Sequence, residues 1–295
     1  MSKTLKILSR PKGNAEEYGR WSVNPYIGCS HLCSYCYLKK GPSGAYLGQD
    51  KPVLKKGVVN EEHAYHLAMA EIIANREEII RDGGLFMTFT SDPMTDVCRA
   101  LFLKIAIGSI QYKIPVVVLT KATQFWNSDE YFNLCAISKF GFQSKRYVSF
   151  GWTLTGHDEL EQNAPSNEDR LRDMEIVRDE GFKTWASIEP VIDFPSSLDM
   201  IYQALNAGCQ HFKIGLLTNN TRMVRKDFQI GGYQFKAYDV IDCMHFIEDV
   251  MRMTYGKATV YWKQSVRDLL GKELEWHIDI DEHSVDKDWS IFKEE

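Results

Sequence analysis

Three cysteines, Cys29, Cys33 and Cys36, lie within eight residues of one another. Spacings of four and three residues let three thiolates surround one face of a compact cluster, and iron–sulfur centres are held by cysteine sulfur in loops of this kind. A cube of four irons bound by three protein thiolates leaves one iron without a protein ligand. An open coordination position is typical of a catalytic metal site. The spacing therefore predicts a catalytic [4Fe–4S] cluster.

Two other interpretations of the same loop stay open at this point. Zn²⁺ accepts mixed sulfur and nitrogen ligands in tetrahedral geometry, so His31 completes a Cys3His set on paper. Ligands at positions 29, 31 and 33 would require a cramped loop, however, and zinc ligands usually come as two separated pairs. The third interpretation is that the thiols bind no metal. The other four cysteines are expected to be small buried side chains: Cys98, Cys135, Cys209 and Cys243.

The elements that must position this loop form an alternating pattern. Apolar, β-branched runs alternate with amphipathic helices, which is typical of a parallel α/β sheet or barrel. Helices are expected from Asn60 to Gly83, from Ser166 to Gly181, from Ser197 to Ala207 and from about Val240 to Gly256, and a final strand over Ala258 to Trp262. The six main strands are expected over Trp21 to Ile27, Leu85 to Thr90, Pro115 to Thr120, Tyr147 to Leu154, Thr184 to Ile188 and Phe212 to Leu217.

Composition excludes several classes of protein. With 295 residues, 44% of them hydrophobic and 25% charged, the chain matches globular averages rather than disordered, collagenous or repeat sequences. Seven cysteines are too few, and odd in number, for a disulfide scaffold. No apolar run reaches the roughly 18 residues of a membrane span, and the start lacks the apolar core of a signal peptide. We therefore expect a soluble, cytoplasmic protein.

Charge is concentrated at one end of the sequence. The net charge is −5, and residues 272–295 contribute −6 of it through nine acidic and three basic residues, so the rest carries +1. Such a body does not indicate nucleic-acid binding by bulk electrostatics. Lysines nevertheless flank the cysteine loop on both sides, either as solvated charges or as phosphate contacts. We expect a basic arm (residues 1–20), a central α/β domain (21–271) and an acidic tail (272–295).

The cysteine loop resembles a known family signature. Its CxxxCxxC spacing, with Tyr35 and Tyr37 on either side of the last cysteine, is similar to that of the radical S-adenosylmethionine (SAM) superfamily. Further motifs over residues 21–219 resemble the branch of spore photoproduct lyase and related DNA repair photolyase proteins. These motifs are Asn24-Pro25-Tyr26 before the loop, Thr90-Ser91-Asp92 after the second strand, Thr120-Lys121 after the third, and Ser149 on the fourth.

The resemblance implies a fold, two cofactors and a reaction. The fold is a partial (β/α)6 barrel of the TIM type, with the cluster loop after strand 1, at the edge where such barrels place their chemistry. The cofactors are a [4Fe–4S] cluster and SAM, which yield a 5′-deoxyadenosyl radical that abstracts a hydrogen atom from the substrate. The expected substrate is a DNA or nucleotide base, with a small metabolite or peptide as the alternative. A flavodoxin or ferredoxin is the expected reductant, and the enzyme is expected to be a monomer.

The resemblance also assigns residues. Ser91 matches a serine that meets the methionine end of SAM, and Lys121 a lysine suited to its carboxylate. Ser149, or Thr153 on the same strand face, is expected to contact the ribose or the carboxylate. Structural roles remain the alternative for each: a helix cap, a solvated charge and a strand hydroxyl.

Other polar residues are candidates at the same edge. Tyr35 and Tyr37 are expected to cover the adenine or to relay a hydrogen atom, with packing as the alternative. Glu189 and Asp193 are expected to hold a ribose hydroxyl or a polar substrate, as are Asn219 and Lys263, and for all four the alternative is a structural role in hydrogen bonds that order a loop. One departure stands out: Phe89 occupies the position at which the lyase has a hydrogen-donating cysteine, which argues against the lyase reaction itself.

Overall fold

A mostly parallel, eight-stranded sheet forms the centre of the molecule. The computed structural model describes residues 5–137, 144–219, 222–223 and 226–271, so the acidic tail expected over 272–295 lies outside the described residues. The strand order is β1-β2-β5-β6-β7-β8-β9-β14, in which only β1 runs antiparallel to its neighbour. These strands are β1 (Leu8–Ser9), β2 (Ser22–Val23), β5 (Leu85–Met87), β6 (Val116–Thr120), β7 (Val148–Thr153), β8 (Lys183–Val191), β9 (His211–Leu216) and β14 (Thr259–Trp262).

Three short hairpins stand outside this sheet. Each joins two strands in antiparallel pairing. The pairs are β3 (Tyr26–Ile27) with β4 (Val53–Leu54), β10 (Thr218–Asn219) with β11 (Arg222–Met223), and β12 (Phe228–Ile230) with β13 (Tyr233–Phe235). The candidate Asn219 thus lies on a hairpin strand, where its backbone alone is described.

Helices connect the parallel strands and cover the sheet. Five of the ten helices described begin at a side-chain cap, since Asn60, Ser128, Ser166, Asp193 and Asp239 accept backbone N–H groups of the first turn. Within the part of the chain that the structure describes, no helix has both the length and the apolar composition to cross a bilayer. The helices are α1 (Gly44–Leu47), α2 (Glu61–Ala74), α3 (Arg76–Arg81), α4 (Arg99–Gln111), α5 (Asp129–Ala136), α6 (Ser144–Tyr147), α7 (Asn167–Asp179), α8 (Phe194–Asn206), α9 (Val240–Thr254) and α10 (Gln264–Leu270).

The expected strands and helices are present, and the structure corrects the bounds of several of them. The first strand was predicted as one run, but β2 ends at Val23 and the chain then turns into hairpin strand β3. Pro25 lies between the two and has no N–H to continue the ladder. The helix expected from Asn60 to Gly83 is broken at Asn75 into α2 and α3. The predicted final strand is β14, which joins the six main strands to give the seven parallel strands of the sheet.

One face of the sheet packs around Tyr18. Its ring lies 5.7 Å from the ring of Phe86 on β5 and 6.3 Å from that of Trp185 on β8, measured between centroids. The ammonium of Lys263, directly after β14, lies 4.2 Å from the Tyr18 ring centroid. Strands β5 and β14 are five positions apart in the sheet order, about 24 Å in a flat sheet. Contact of both with one side chain shows that the sheet curves strongly around this inner face.

Candidate functional site

A glycine and a backbone hydrogen bond fix the start of the cysteine loop. Gly28 has φ +87°, and a Cβ there would come within 2.5 Å of the Lys51 carbonyl oxygen, so only glycine fits. The next N–H, that of Cys29, donates to the Gln49 carbonyl at 3.0 Å. The segment around residues 49–51 therefore forms one wall of the loop.

The segment around Leu160 forms the opposite wall. Ser34 N–H donates to the Leu160 carbonyl at 2.8 Å, and Cys33 forms an isolated antiparallel bridge with Glu161. Cys36 N–H then turns back onto the Cys33 carbonyl at 3.1 Å and opens a short 3-10 helix, Tyr37–Lys39. The loop is held by backbone contacts from both sides, so the positions of its thiols do not depend on side-chain packing alone.

The thiols lie in a partly buried environment with charged groups of both signs nearby. Burial raises the pKa of Cys29 to about 12, and burial also raises the pKa of Cys33, an effect that the Lys121 ammonium opposes. Both are therefore protonated as free thiols, and binding of a metal must release protons. Among the described residues, no three His, Cys, Asp or Glu side chains are arranged to share a single metal ion.

Asp92 joins three of the sequence motifs. Its Oδ2 lies 3.0 Å from Nε2 of His31 in the cysteine loop and accepts the Lys121 N–H at 2.7 Å, while its Oδ1 accepts the Thr120 hydroxyl at 2.6 Å. Burial of this carboxylate would raise its pKa, but His31 and these donors lower the pKa to about 2. Asp92 is thus a buried anion that ties the cysteine loop to the end of β6.

The motif before the loop meets the same region. Asn24 Oδ1 accepts the Phe89 N–H at 2.8 Å and the Thr88 hydroxyl at 3.2 Å, and the Thr90 hydroxyl donates to the Tyr26 carbonyl. The Asn24-Pro25-Tyr26 and Thr90-Ser91-Asp92 motifs are therefore in contact, at the carboxyl ends of β2 and β5.

The zinc alternative finds no preformed site in this arrangement. His31 is 5% exposed with its Nε2 3.0 Å from Oδ2 of Asp92, and no three His, Cys, Asp or Glu side chains of the described residues are arranged to share one metal ion. Its backbone carbonyl accepts the Asn163 N–H at 3.0 Å, which holds this part of the loop. His31 therefore links the cysteine loop to Asp92 and to Asn163.

Sequence reasoning missed Glu161, which forms a buried ionic cluster beneath the loop. Its side chain is fully buried, with Oε2 2.5 Å from the Arg170 guanidinium and Oε1 3.8 Å from Nζ of Lys121. The hydroxyl of Tyr35 also donates to it. No spacing pattern marks Glu161, because its partners come from three separate elements; the signal that could have found it is an acidic residue between predicted elements, beside the equally unassigned Arg170.

Two expected SAM contacts take part in this cluster. Lys121 is mostly buried, lies 5.5 Å from the Tyr35 ring centroid and is paired with Glu161. Burial would lower the pKa of Lys121, but the neighbouring Cys33 and Glu161 raise it, so the ammonium is charged. Tyr35 packs in a small apolar cluster with Cys33 and donates its hydroxyl to Glu161, so its ring stands beneath the loop.

Tyr37 and Ser91 are placed differently. Tyr37 is 61% exposed, and its hydroxyl donates to the Phe89 carbonyl, so the ring bridges the cysteine loop and the end of β5. Ser91 is partly buried, with its Oγ 3.5 Å from Sγ of Cys98. It does not cap α4, whose cap position is Cys98.

The structure brings Thr153 to the carboxyl edge of the sheet but not Ser149. Thr153 is the last residue of β7, and its carbonyl accepts the Arg170 guanidinium at 2.9 Å. Ser149 is fully buried four residues earlier, about 13 Å along the strand, and its hydroxyl has no hydrogen-bond partner among the described residues.

The remaining candidates divide between the inner face and a helix cap. Glu189 on β8 accepts the Tyr18 hydroxyl and lies 2.6 Å from Nζ of Lys263, so both face the interior of the curved sheet. Asp193 caps α8 by accepting the Ser196 N–H at 2.8 Å and lies 2.6 Å from Nε2 of His157. Asp193 therefore has a structural role as the cap of α8.

Comparison with known proteins gives a fold. No family model matches the chain. A structure of SuiB from Streptococcus suis bound to S-adenosylmethionine aligns with a TM-score of 0.54 at 13% identity, over 88% of this chain and 53% of SuiB. A second SuiB structure gives a TM-score of 0.56 at 12% identity, over 88% and 52%. The chain shares its fold with SuiB. This chain spans about half of SuiB's length, so the likeness concerns the fold alone.

A curated relative is similar in sequence. The uncharacterized protein MJ0683 of Methanocaldococcus jannaschii is 23% identical over 196 residues, which cover 62% of this chain and 64% of that protein. The chain thus spans less than two thirds of this relative's length.

Proposed function

We propose that this protein is a radical SAM enzyme, in which Cys29, Cys33 and Cys36 hold a [4Fe–4S] cluster and the open iron binds SAM. One observation carries the proposal: a CxxxCxxC loop is clamped at the carboxyl edge of a curved parallel sheet, in a fold shared with a SAM-bound protein. We extend it to the architecture. The curvature around Tyr18 supports a partial barrel of the TIM type, with the inner face as its interior.

The donor set fits such a cluster. Three thiols lie on one loop, the nearby histidine is paired elsewhere, and Lys121 supplies positive charge beside Cys33. Three thiolates without a fourth protein ligand leave one iron open. When bound, the cluster supplies the electron that cleaves SAM, and so a radical able to take a hydrogen atom from an unactivated carbon.

Side chains of this protein position the cysteine loop and the groups that we propose as SAM contacts. Asp92 keeps the cysteine loop against the end of β6, and Glu161 holds Lys121 and Tyr35 beneath it. Tyr37 is the exposed aromatic ring at this edge and is our candidate for the adenine contact. Ser91 and Thr153, both at this edge, are our candidates for the methionine end and the ribose. The Lys121 ammonium is already paired with Glu161, so when it binds a SAM carboxylate it interacts with two carboxylates at once.

We propose a nucleobase, in a nucleotide or in DNA, as the substrate. The motifs that resemble the spore photoproduct lyase branch support it, since Asn24 accepts the Phe89 N–H and Asp92 accepts the Lys121 N–H, which brings these motifs to the ends of β5 and β6. Phe89 stacks on Phe86 with ring centroids 4.4 Å apart, so an aromatic pair occupies the position of the lyase thiol. We therefore propose modification or rearrangement of a base rather than dimer reversal. A base in a duplex would have to flip out to react.

One observation favours a second candidate, a small polar metabolite. The inner face carries Glu17, Glu189, Lys213 and Lys263, whose charges are paired with one another or with the chain. Charged groups of this kind bind a charged small molecule by replacing an internal ion pair with an ion pair to the ligand.

Anaerobic reconstitution tests the proposal. We expect a brown protein with about four irons per chain and formation of 5′-deoxyadenosine from SAM with dithionite. Cys135→Ala should retain both properties and serves as the control. A colourless protein with one zinc would contradict the cluster. Deuterium transfer from labelled nucleosides, oligonucleotides or metabolites into 5′-deoxyadenosine then identifies the substrate and the attacked carbon.

A further inference from the structure

Residues 37–57 form a lysine-rich flank on the outer side of the cysteine loop. The flank comprises the 3-10 helix after Cys36, helix α1 and hairpin strand β4. It contains no arginine and no glutamate, and its charged residues are Lys39, Lys40, Asp50, Lys51, Lys55 and Lys56. Its net charge is therefore +4, on a chain whose net charge is −5. Positive charge is thus concentrated beside the proposed cluster.

This lysine flank touches the loop directly. The Gln49 carbonyl accepts the N–H of Cys29, and the Lys51 carbonyl stands where any side chain at position 28 would be. The backbone N–H of Lys39 donates to the Cys36 carbonyl at 3.4 Å. A protein seated on the flank would therefore lie against the wall of the cysteine loop itself.

The flank also offers apolar side chains to a partner. Tyr46 and Val53 are 49% and 46% exposed. Lys51 and Lys56 are exposed, and within the described residues they form no ion pair. Exposed apolar side chains together with charged ones are typical of a protein–protein interface. Nucleic-acid surfaces are typically rich in arginine for bidentate contacts, and this flank has none.

We propose that the lysine flank is the docking surface for an acidic one-electron carrier protein that reduces the cluster. This inference rests on the proposed function, which requires an external electron for every cleavage. In the step, the carrier loses one electron and the cluster gains it, and no bond forms or breaks and no proton needs to cross the interface. Opposite charges raise the rate of encounter and orient the partners.

Charge reversal with a matched control tests the surface. Lys51→Glu/Lys56→Glu changes the charge by −4 on the flank, and Lys113→Glu/Lys257→Glu makes the same change at exposed positions before β6 and β14, at the opposite edge of the sheet. Cleavage of SAM is measured with reduced flavodoxin as the acidic carrier and, separately, with dithionite. We expect the flank variant to need about ten times more flavodoxin for half-maximal rate.

The remaining arms separate the explanations. The tenfold difference should disappear in about 0.5 M salt, where the Debye length falls to roughly 4 Å. Dithionite-driven cleavage and the control variant should match the wild type. Equal flavodoxin dependence in all three proteins, or equal loss in both variants, overturns the docking surface. Loss of the dithionite rate in the flank variant overturns it too, since the lysines would then act on the cluster.

Two further outcomes concern nucleic-acid binding by the flank and the proposed cleavage of SAM. Salt-dependent binding of a DNA oligonucleotide that is lost only in the flank variant, with unchanged flavodoxin dependence, would assign the surface to nucleic acid and overturn this inference. No cleavage by the wild type with dithionite would overturn the proposed function, and this result is distinguishable from every outcome above.

Discussion

Replacing Asp92 by asparagine removes one charge and one acceptor from the centre of the proposed site. In the wild type, Oδ1 accepts from Thr120 and from the Met94 N–H, and Oδ2 faces His31 and the Lys121 N–H. Asparagine keeps one acceptor oxygen but turns an NH₂ group towards the other two partners. The variant therefore loses both interactions of Oδ2.

The magnitude follows from the carboxylate. The pKa of Asp92 is lowered to about 2, against about 3.9 for a solvated aspartate, and this difference corresponds to about 2.5 kcal/mol of stability at neutral pH. Loss of two hydrogen bonds to a charged group, at about 1.5 kcal/mol each, gives a similar value. We expect Asp92→Asn to lower the melting temperature of the metal-free protein by about 5 °C.

The pH dependence has a defined sign. A carboxylate whose pKa is lower in the folded protein adds stability above about pH 4, and this contribution is lost as the pH falls towards 2. The difference between wild type and Asp92→Asn, measured by circular dichroism during thermal unfolding, should therefore shrink over that range. Asp96→Asn is the matched control, because its side chain is 90% exposed and should change stability by less than about 0.5 kcal/mol. If the melting temperature of Asp92→Asn lies within 1 °C of those of the wild type and of Asp96→Asn at neutral pH, the reasoning is refuted.

Three further predictions test the site. Replacing any one of the three loop cysteines by alanine should abolish iron retention and SAM cleavage together, as measured by iron content and 5′-deoxyadenosine. Glu161→Gln leaves the fully buried Arg170 without its counter-charge and should lower the free energy of unfolding in urea by about 3 kcal/mol. The control Glu168→Gln changes an exposed side chain and should leave that free energy nearly unchanged. Equal effects of the two variants would contradict a stabilising role for the Glu161–Arg170 pair. Lys121→Ala should keep the iron but weaken SAM binding by about 1.5 to 3 kcal/mol, and unchanged affinity in calorimetry would remove Lys121 from the SAM site.

Much of the sheet could be predicted from the sequence, because buried parallel strands are continuous apolar runs separated by capped helices. Ser166 caps α7 as expected, through its Oγ and the Asp169 N–H at 3.1 Å. Strand β1 was missed because a two-residue edge strand has no periodicity. Helix α8 starts at Phe194, three residues earlier than expected, because Asp193 serves as its cap.

The candidate site was predictable only where its residues are close in sequence. The spacing of the three thiols indicates shared chemistry, and the short motifs around Asp92 lie at strand ends. Glu161 and Tyr18 were missed because their partners lie far away in the chain: Tyr35 is 126 positions from Glu161, and Glu189 is 171 positions from Tyr18. Local patterns carry no information on such pairs.

The burial of Glu17 has a consequence for the order in which the molecule is made. Its Oε1 accepts the Gln264 N–H at 2.7 Å, across 247 positions, and the Tyr261 hydroxyl at 3.1 Å. Residues 261 and 264, which supply these donors, are synthesised long after Glu17. The Glu17 carboxylate therefore stays exposed to water while the intervening strands are made. Assembly of the sheet is therefore completed late, and a nascent chain stopped before β14 would leave its inner face open to chaperones and proteases.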